Sequence, residues 1–162
     1  MTFDDYQEIT RRRYEYALGI DTRDWALHRS IFTPEIQMDF TSYSGGEGAT
    51  LMTADAWIDN IRPLFTGLTA TQHTMTNPMV SVDGHTARQT MYMQALHFLD
   101  AMDDPDSAAQ GEFAVGGYYE DELVRTGEGW RIQAVKLTVL WRRGDARIMV
   151  AARHRGMALI DG

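Results

Sequence analysis

A chain of 162 residues with no cysteine, 15 lysines and arginines against 23 aspartates and glutamates, and a formal charge of −8 has the material for one domain with a real core. The lack of cysteine excludes disulfides, thiolate catalysis and Cys-ligated zinc or iron–sulfur sites, and the negative field argues against binding a phosphate backbone. No apolar run approaches the roughly 18 to 20 residues that span a bilayer, and the acidic start has no apolar segment of a secretory signal behind it, so a cytoplasmic protein without membrane or nucleic-acid partners is expected.

Taken in chain order, the periodicity predicts a helix over Tyr6–Ile20, with Ile9, Tyr14, Tyr16, Ala17 and Ile20 on its apolar side and a break at Gly19 and Asp21. Inside it, Arg11-Arg12-Arg13 reads as a solvated face or a subunit contact. Asp24 caps a second, short helix over Trp25–Phe32, which Pro34 stops. Glu35–Tyr43 alternates like a strand, Ser44–Gly48 is a loop, and Thr53 caps a third helix through Trp57, Ile61 and Phe65. Four long strands follow: Thr71–Val82, bulged at Asn77-Pro78, then Thr86–Leu99, Phe113–Arg125 and Trp130–Trp141, with a polar loop over Asp100–Gln110.

Helices first and a sheet afterwards predict an α+β domain over residues 1–145, its N-terminal helices covering one sheet face. Residues 146–162 show no clear pattern and read as a C-terminal tail, an arm or a short helix. Strands this long, where about five or six residues are usual, predict a strongly coiled sheet with a pocket at its closed end.

Five histidines can exchange protons near neutrality. His85 in a turn, His154 in the tail and His28 beside Arg29 read as solvent-facing. His73, aligned with Met75, and His97, on one face with Met91, Met93 and Ala95, are the two candidates for chemistry. In such surroundings an imidazole either has a specific partner or stays neutral. Asp21 and Asp24, between the first two helices, are the carboxylates able to fix an imidazole tautomer; Asp24 has a rival duty as a helix cap, whereas Asp21 has none.

Tyr16, Tyr43 and Tyr119 are among the tyrosines available as phenolic donors to a developing enolate. Trp57, Met75, Met91, Met93, Phe113 and Trp141 are available to line an apolar cavity. There is no H-E-x-x-H motif, phosphate loop or G-x-S-x-G elbow, and Asp103-Asp104-Pro105-Asp106 reads as a solvated loop, so neither a metal nor another cofactor is expected.

Several segments together carry a family resemblance: Tyr16-Ala17-Leu18 with Asp21, Asp24-Trp25, Leu27 and Phe32; Thr71-Gln72-His73 before Asn77-Pro78; His97 closing a long strand; and the run Gly117, Tyr119, Asp121, Leu123, Arg125, Gly129, Trp130, Ile132. The sequence resembles the SnoaL-like branch of the nuclear transport factor 2-like superfamily, with scytalone dehydratase as a relative in pattern. The resemblance implies an α+β fold with a cone-shaped, strongly curved mixed β-sheet covered by N-terminal helices, and assembly as a homotrimer or homodimer. It also implies that Asp21 pairs with His97 and that His73 is a second catalytic histidine, with Asp24 and Tyr16 as further catalytic candidates. Tyr43, Phe40, Trp57, Met75, Met93, Phe113, Tyr119 and Trp141 become the expected substrate-binding set.

Two departures stand out, because Ile20 and Phe40 occupy positions where the dehydratase carries tyrosines. The implied reaction is a cofactor-independent dehydration of a small apolar hydroxylated carbonyl compound, polyketide-like or terpenoid/steroid-like. His73 would remove the proton and His97, oriented by Asp21, would protonate the departing hydroxyl. An isomerase or polyketide cyclase using the same pocket, and a noncatalytic ligand-binding or assembly domain, are the alternatives.

Overall fold

The computed structural model describes residues 1–100 and 111–162; most of the polar loop, with its Asp103-Asp104-Pro105-Asp106 run, lies outside the described residues. Helix α1 (Phe3–Thr22) begins at Thr2, whose hydroxyl accepts the Asp5 N–H while the Asp5 carboxylate accepts the Thr2 N–H. It ends at Arg23, whose left-handed backbone (φ 60°) turns the chain out of the helix. Asp24 then caps α2 (Trp25–Ser30) by accepting the Leu27 N–H.

Strand β1 (Phe32–Asp39) takes in Pro34, expected to lie in a break before the strand; the short helix α3 (Thr41–Ser44) replaces the strand's expected end, and β2 (Thr50–Thr53) was not anticipated. Helix α4 (Ala54–Gly67), capped by Thr53, carries Pro63 inside it. Strands β3 (Ala70–Asp83), β4 (Thr86–Leu99), β5 (Gly111–Thr126) and β6 (Gly129–Gly144) form the expected meander, and β3 shifts register between Thr76 and Met79, where Asn77 has φ 56°.

The six strands make one mixed sheet in the order β2-β1-β6-β5-β4-β3, with β1 parallel to β6 and the other neighbours antiparallel. This corrects the expected cone-shaped, strongly curved sheet: it is open, with β2 and β3 as separate edges. Long strands do not by themselves close a sheet: β2 pairs only with β1 and β3 only with β4, so the two edges stay unjoined, and β5 and β6 shift register at Gly116/Gly117 and Glu122/Leu123.

Nor is the cover N-terminal alone. Helix α5 (Arg147–Asp161) forms within the segment read as a tail and packs on α4. The two helices meet backbone to backbone at glycines: a Cβ on Gly67 would strike the Ala152 carbonyl, and one on Gly156 would strike the Pro63 carbonyl. Ile148 and Ala152 of α5 are fully buried by this contact. The core lies between the helices and the inward sheet face, on which Met91, Met93, Ala95, Val115, Tyr119, Leu123 and Leu137 are buried.

Candidate active site

Period-two alternation turns Thr71, His73 and Met75 of β3 and Met93, Ala95 and His97 of β4 toward the same interior. In the β3–β4 register Thr71 faces His97 and His73 faces Ala95, so the histidines are diagonal neighbours. Their rings stand edge to face, centroids 5.7 Å apart, with Phe65 of α4 near both.

The last turn of α1 delivers Asp21. Its Oδ1 accepts His73 Nδ1–H at 2.7 Å and the Thr71 hydroxyl at 2.9 Å, and its Oδ2 accepts the His73 backbone N–H at 2.7 Å. A carboxylate at a helix C-terminus opposes the helix dipole and needs compensation. Arg23 supplies part of it, donating to the carbonyls of Ile20 and Asp21 and to the Thr71 hydroxyl. Burial pushes the Asp21 carboxyl up, but the His73 and Thr71 interactions outweigh it and hold the group below the ordinary carboxylate value.

His97 is held differently. Its Nδ1 donates to the Phe113 carbonyl at 3.0 Å, and because a carbonyl only accepts, Nε2 is left as a bare acceptor in the neutral ring. Burial, reinforced by repulsion from His73, pushes its pKa down to about 4. The expected Asp21–His97 pairing is therefore corrected: the carboxylate belongs to His73, because the end of α1 lies against β3.

A cavity of about 250 Å³ opens beside the two imidazoles. Tyr16, Val115, Tyr119, Leu137 and His97 line its buried part; Asn60, Ser44, Tyr43, Leu64, Met149 and Arg153 are the more exposed residues around it. Phe40 stands between Trp57 and Tyr119, at centroid distances of 5.1 and 6.3 Å. Burial raises the pKa of both Tyr16 and Tyr119, so each phenol keeps its proton near neutrality and acts as a donor. A larger hollow of about 360 Å³ is lined mainly by charged and polar side chains, among them Asp39, Arg88, Glu120, Glu122 and Lys136, and has no histidine or tyrosine in its walls.

The SnoaL-like domain model matches residues 1–136, most of the chain. The chain belongs to the SnoaL-like family. This SnoaL-like protein is 28% identical over 128 residues, 79% of its own length and 80% of the relative's, to the uncharacterized protein Rv2910c of Mycobacterium tuberculosis. It is similar to the crystal structure of Kfla4162 from Kribbella flavida, at 28% identity and a TM-score of 0.82, covering 91% of this chain and 97% of that one. A candidate scytalone dehydratase from Novosphingobium aromaticivorans superposes with a TM-score of 0.70 at 15% identity, covering 85% of each chain.

The SnoaL-like fold gathers His73, His97, Tyr16, Phe40, Tyr43, Trp57, Met93 and Tyr119 around the cavity, with Asp21 directly behind His73. Other expected residues fall elsewhere. Asp24 is an exposed cap. Met75 is packed in the core, and Phe113 touches the site only by supporting His97 with its carbonyl and ring. Trp141 is 44% exposed and lies over Gly116, whose missing side chain makes room for the indole.

His28, expected at the surface, is fully buried. Its Nδ1 donates to the Tyr16 carbonyl at 3.2 Å and its ring packs on Tyr16, because Gly19 of α1 lets α2 approach closely. Burial drives its pKa down to about 3. His85 and His154 are exposed, as expected.

The arginine run is also redistributed. Arg11 is exposed and pairs with Glu15, whereas Arg13 is fully buried, forms a two-pronged ion pair with Asp121 and lies 3.7 Å above the Tyr119 ring centroid. Sequence reasoning missed Arg13 although it falls between Ile9 and Tyr16 at helical spacing, on the apolar stripe. It also missed Thr71, Arg23, Asn60 and Arg153. The last had no local signal, since α5 is fixed to the site only by its packing on α4. Among the described residues no group of three or more His, Asp or Glu side chains is placed to hold a metal ion, and no helix is long and apolar enough to cross a membrane.

Proposed function

We propose that this SnoaL-like protein is a cofactor-independent lyase that removes water from a small, apolar hydroxylated carbonyl compound of polyketide-like or terpenoid/steroid-like character. The observation that carries the reading is the Asp21–His73 pair set beside an apolar cavity with neutral His97 and two protonated phenols around it. Asp21 fixes the His73 tautomer with the proton on Nδ1, leaving Nε2 as the base. His73 Nε2 takes the proton α to the carbonyl, and Asp21 stabilises the imidazolium that results. Tyr16 donates to the carbonyl oxygen as it gains enolate charge.

The β-hydroxyl donates its own hydrogen to the bare Nε2 of His97 and receives the abstracted proton from His73. The C–O bond breaks, a C=C bond forms and water leaves. This arrangement reverses the role expected of His97: with a pKa near 4 it accepts a hydrogen bond at neutral pH and does not serve as the acid. The same machinery without a β-hydroxyl returns the proton to another carbon, which is the isomerase alternative. Assembly as a homodimer or homotrimer belongs to the same proposal and is read out by light scattering.

The test is incubation with a panel of hydroxylated ketones in deuterated buffer, followed by mass spectrometry. Deuterium entering the α-carbon, or loss of water from the substrate, supports the reading when both disappear in His73→Ala. A folded wild-type protein that neither exchanges nor eliminates across the panel, or a His73→Ala variant that turns over like wild type, overturns it.

A further inference from the structure

The cavity walls carry one full formal charge, and it is positive. None of the residues lining the cavity is an aspartate or glutamate. Arg153 reaches the cavity from α5, one turn beyond Met149 on the same helix face, so both side chains close the same side. Among the described residues no carboxylate pairs with it and no hydrogen bond or ring contact involves it. Every other arginine that meets a cavity or core tyrosine is engaged: Arg13 by Asp121, and Arg142 by the carbonyls of Ser42 and Tyr43. Trp57, another lining residue, has a buried Nε1–H without an acceptor among the described residues. The wall therefore offers a guanidinium and an indole N–H without partners among the described residues and no carboxylate to meet them, its imidazole acceptors being the Nε2 atoms of His73 and His97.

We infer that Arg153 anchors a carboxylate of the bound molecule, so that the ligand is an apolar acid whose hydrocarbon body lies against Phe40, Trp57 and Leu64. The inference rests on the reading of this cavity as the substrate site and adds the charge of the substrate to it. A guanidinium presents a planar fork that matches a carboxylate with two parallel hydrogen bonds, and the apolar wall around a half-buried guanidinium strengthens them. Arg153 is half-buried while the side chain of His73, the proposed base, is almost wholly buried, which places the anion toward the opening and the reacting carbon deeper. The competing role for a long arginine is to cover apolar surface with its stem, and the two roles separate by experiment.

Isothermal titration calorimetry with 2-naphthoate and its uncharged methyl ester reads the difference directly. Wild type is expected to bind the acid at least about tenfold tighter than the ester, in keeping with one charge-assisted contact. Arg153→Met removes that preference without weakening the ester, and Arg153→Lys, which keeps charge but loses the fork, restores part of it. Near-ultraviolet circular dichroism checks that the variants are folded, and the wild-type comparison of acid with ester stands without any variant. The inference is overturned if wild type binds neither compound, if it binds them equally, or if Arg153→Met keeps the preference. His73→Ala is expected to keep the acid preference. If it does so while the deuterium-exchange test fails, the anion site stands and the proposed reaction falls.

Discussion

Asp21 grips His73 twice, accepting the imidazole Nδ1–H on one oxygen and the backbone N–H on the other, both at 2.7 Å. The double contact fixes ring and strand together, so removing the charge while keeping the shape tests the pair cleanly. Asp21→Asn is expected to lower α-proton exchange by about 100-fold or more, within the range general acid–base catalysis supplies. Nitrogen NMR of the imidazoles gives an independent check. The wild-type His73 ring is expected as the Nδ1–H tautomer when neutral, and the variant is expected to lose that bias.

Acid should loosen the fold before the carboxylates alone would. His28 and His97 have folded-state pKa values of about 3 and 4, below the ordinary histidine value of 6.5. Above pH 6.5 both states hold these rings neutral and nothing is lost. Below it the unfolded chain takes up protons that the folded one refuses, so stability falls as pH drops, by up to about 1.4 kcal/mol per pH unit for each ring. Asp21, whose pKa is lowered by folding, adds a loss in the same direction further into acid. Urea midpoints measured from pH 7.5 to 4.5 should fall, and His97→Gln should flatten the upper part of that decline.

The Arg13–Asp121 pair is fully buried on both side chains, and Gln89 also donates to Asp121. Breaking it leaves an unmatched buried charge. Arg13→Met and Asp121→Ala are each expected to cost about 3 to 5 kcal/mol in urea unfolding. The double substitution Arg13→Met with Asp121→Leu should recover much of that loss, because it strands no charge.

Gly156 lets α5 lie directly on α4. Gly156→Ala forces a methyl group into the Pro63 carbonyl and is expected to destabilise by about 1 to 3 kcal/mol, the usual cost of overpacking. Since α5 carries Met149 and Arg153 to the cavity, the same variant should weaken binding of 2-naphthoate at temperatures where it remains folded. Thermal melts and calorimetry together check this.

Local chemistry determined much of the scaffold. The α1 stripe, except for Tyr14, which is exposed, the Asp24 and Thr53 caps, the Asn77 bulge and the alternation of β4 are short-range patterns set by helix and strand periods, and each appears in the structure. The same periods put His73, His97, Tyr16 and Tyr119 on interior faces. What tertiary structure decided was which of these groups met. Asp21 sits in the last turn of a helix whose direction relative to the sheet no local pattern encodes, and that direction gave it to His73 and left His97 to a backbone carbonyl. Arg13 and Asp121 neutralise each other from positions far apart in sequence, and Arg153 becomes a cavity residue only because two glycines allow α5 to close on α4. Side-chain direction follows from local backbone geometry, whereas partnership depends on helix-on-sheet packing, which is settled when the whole core is buried at once.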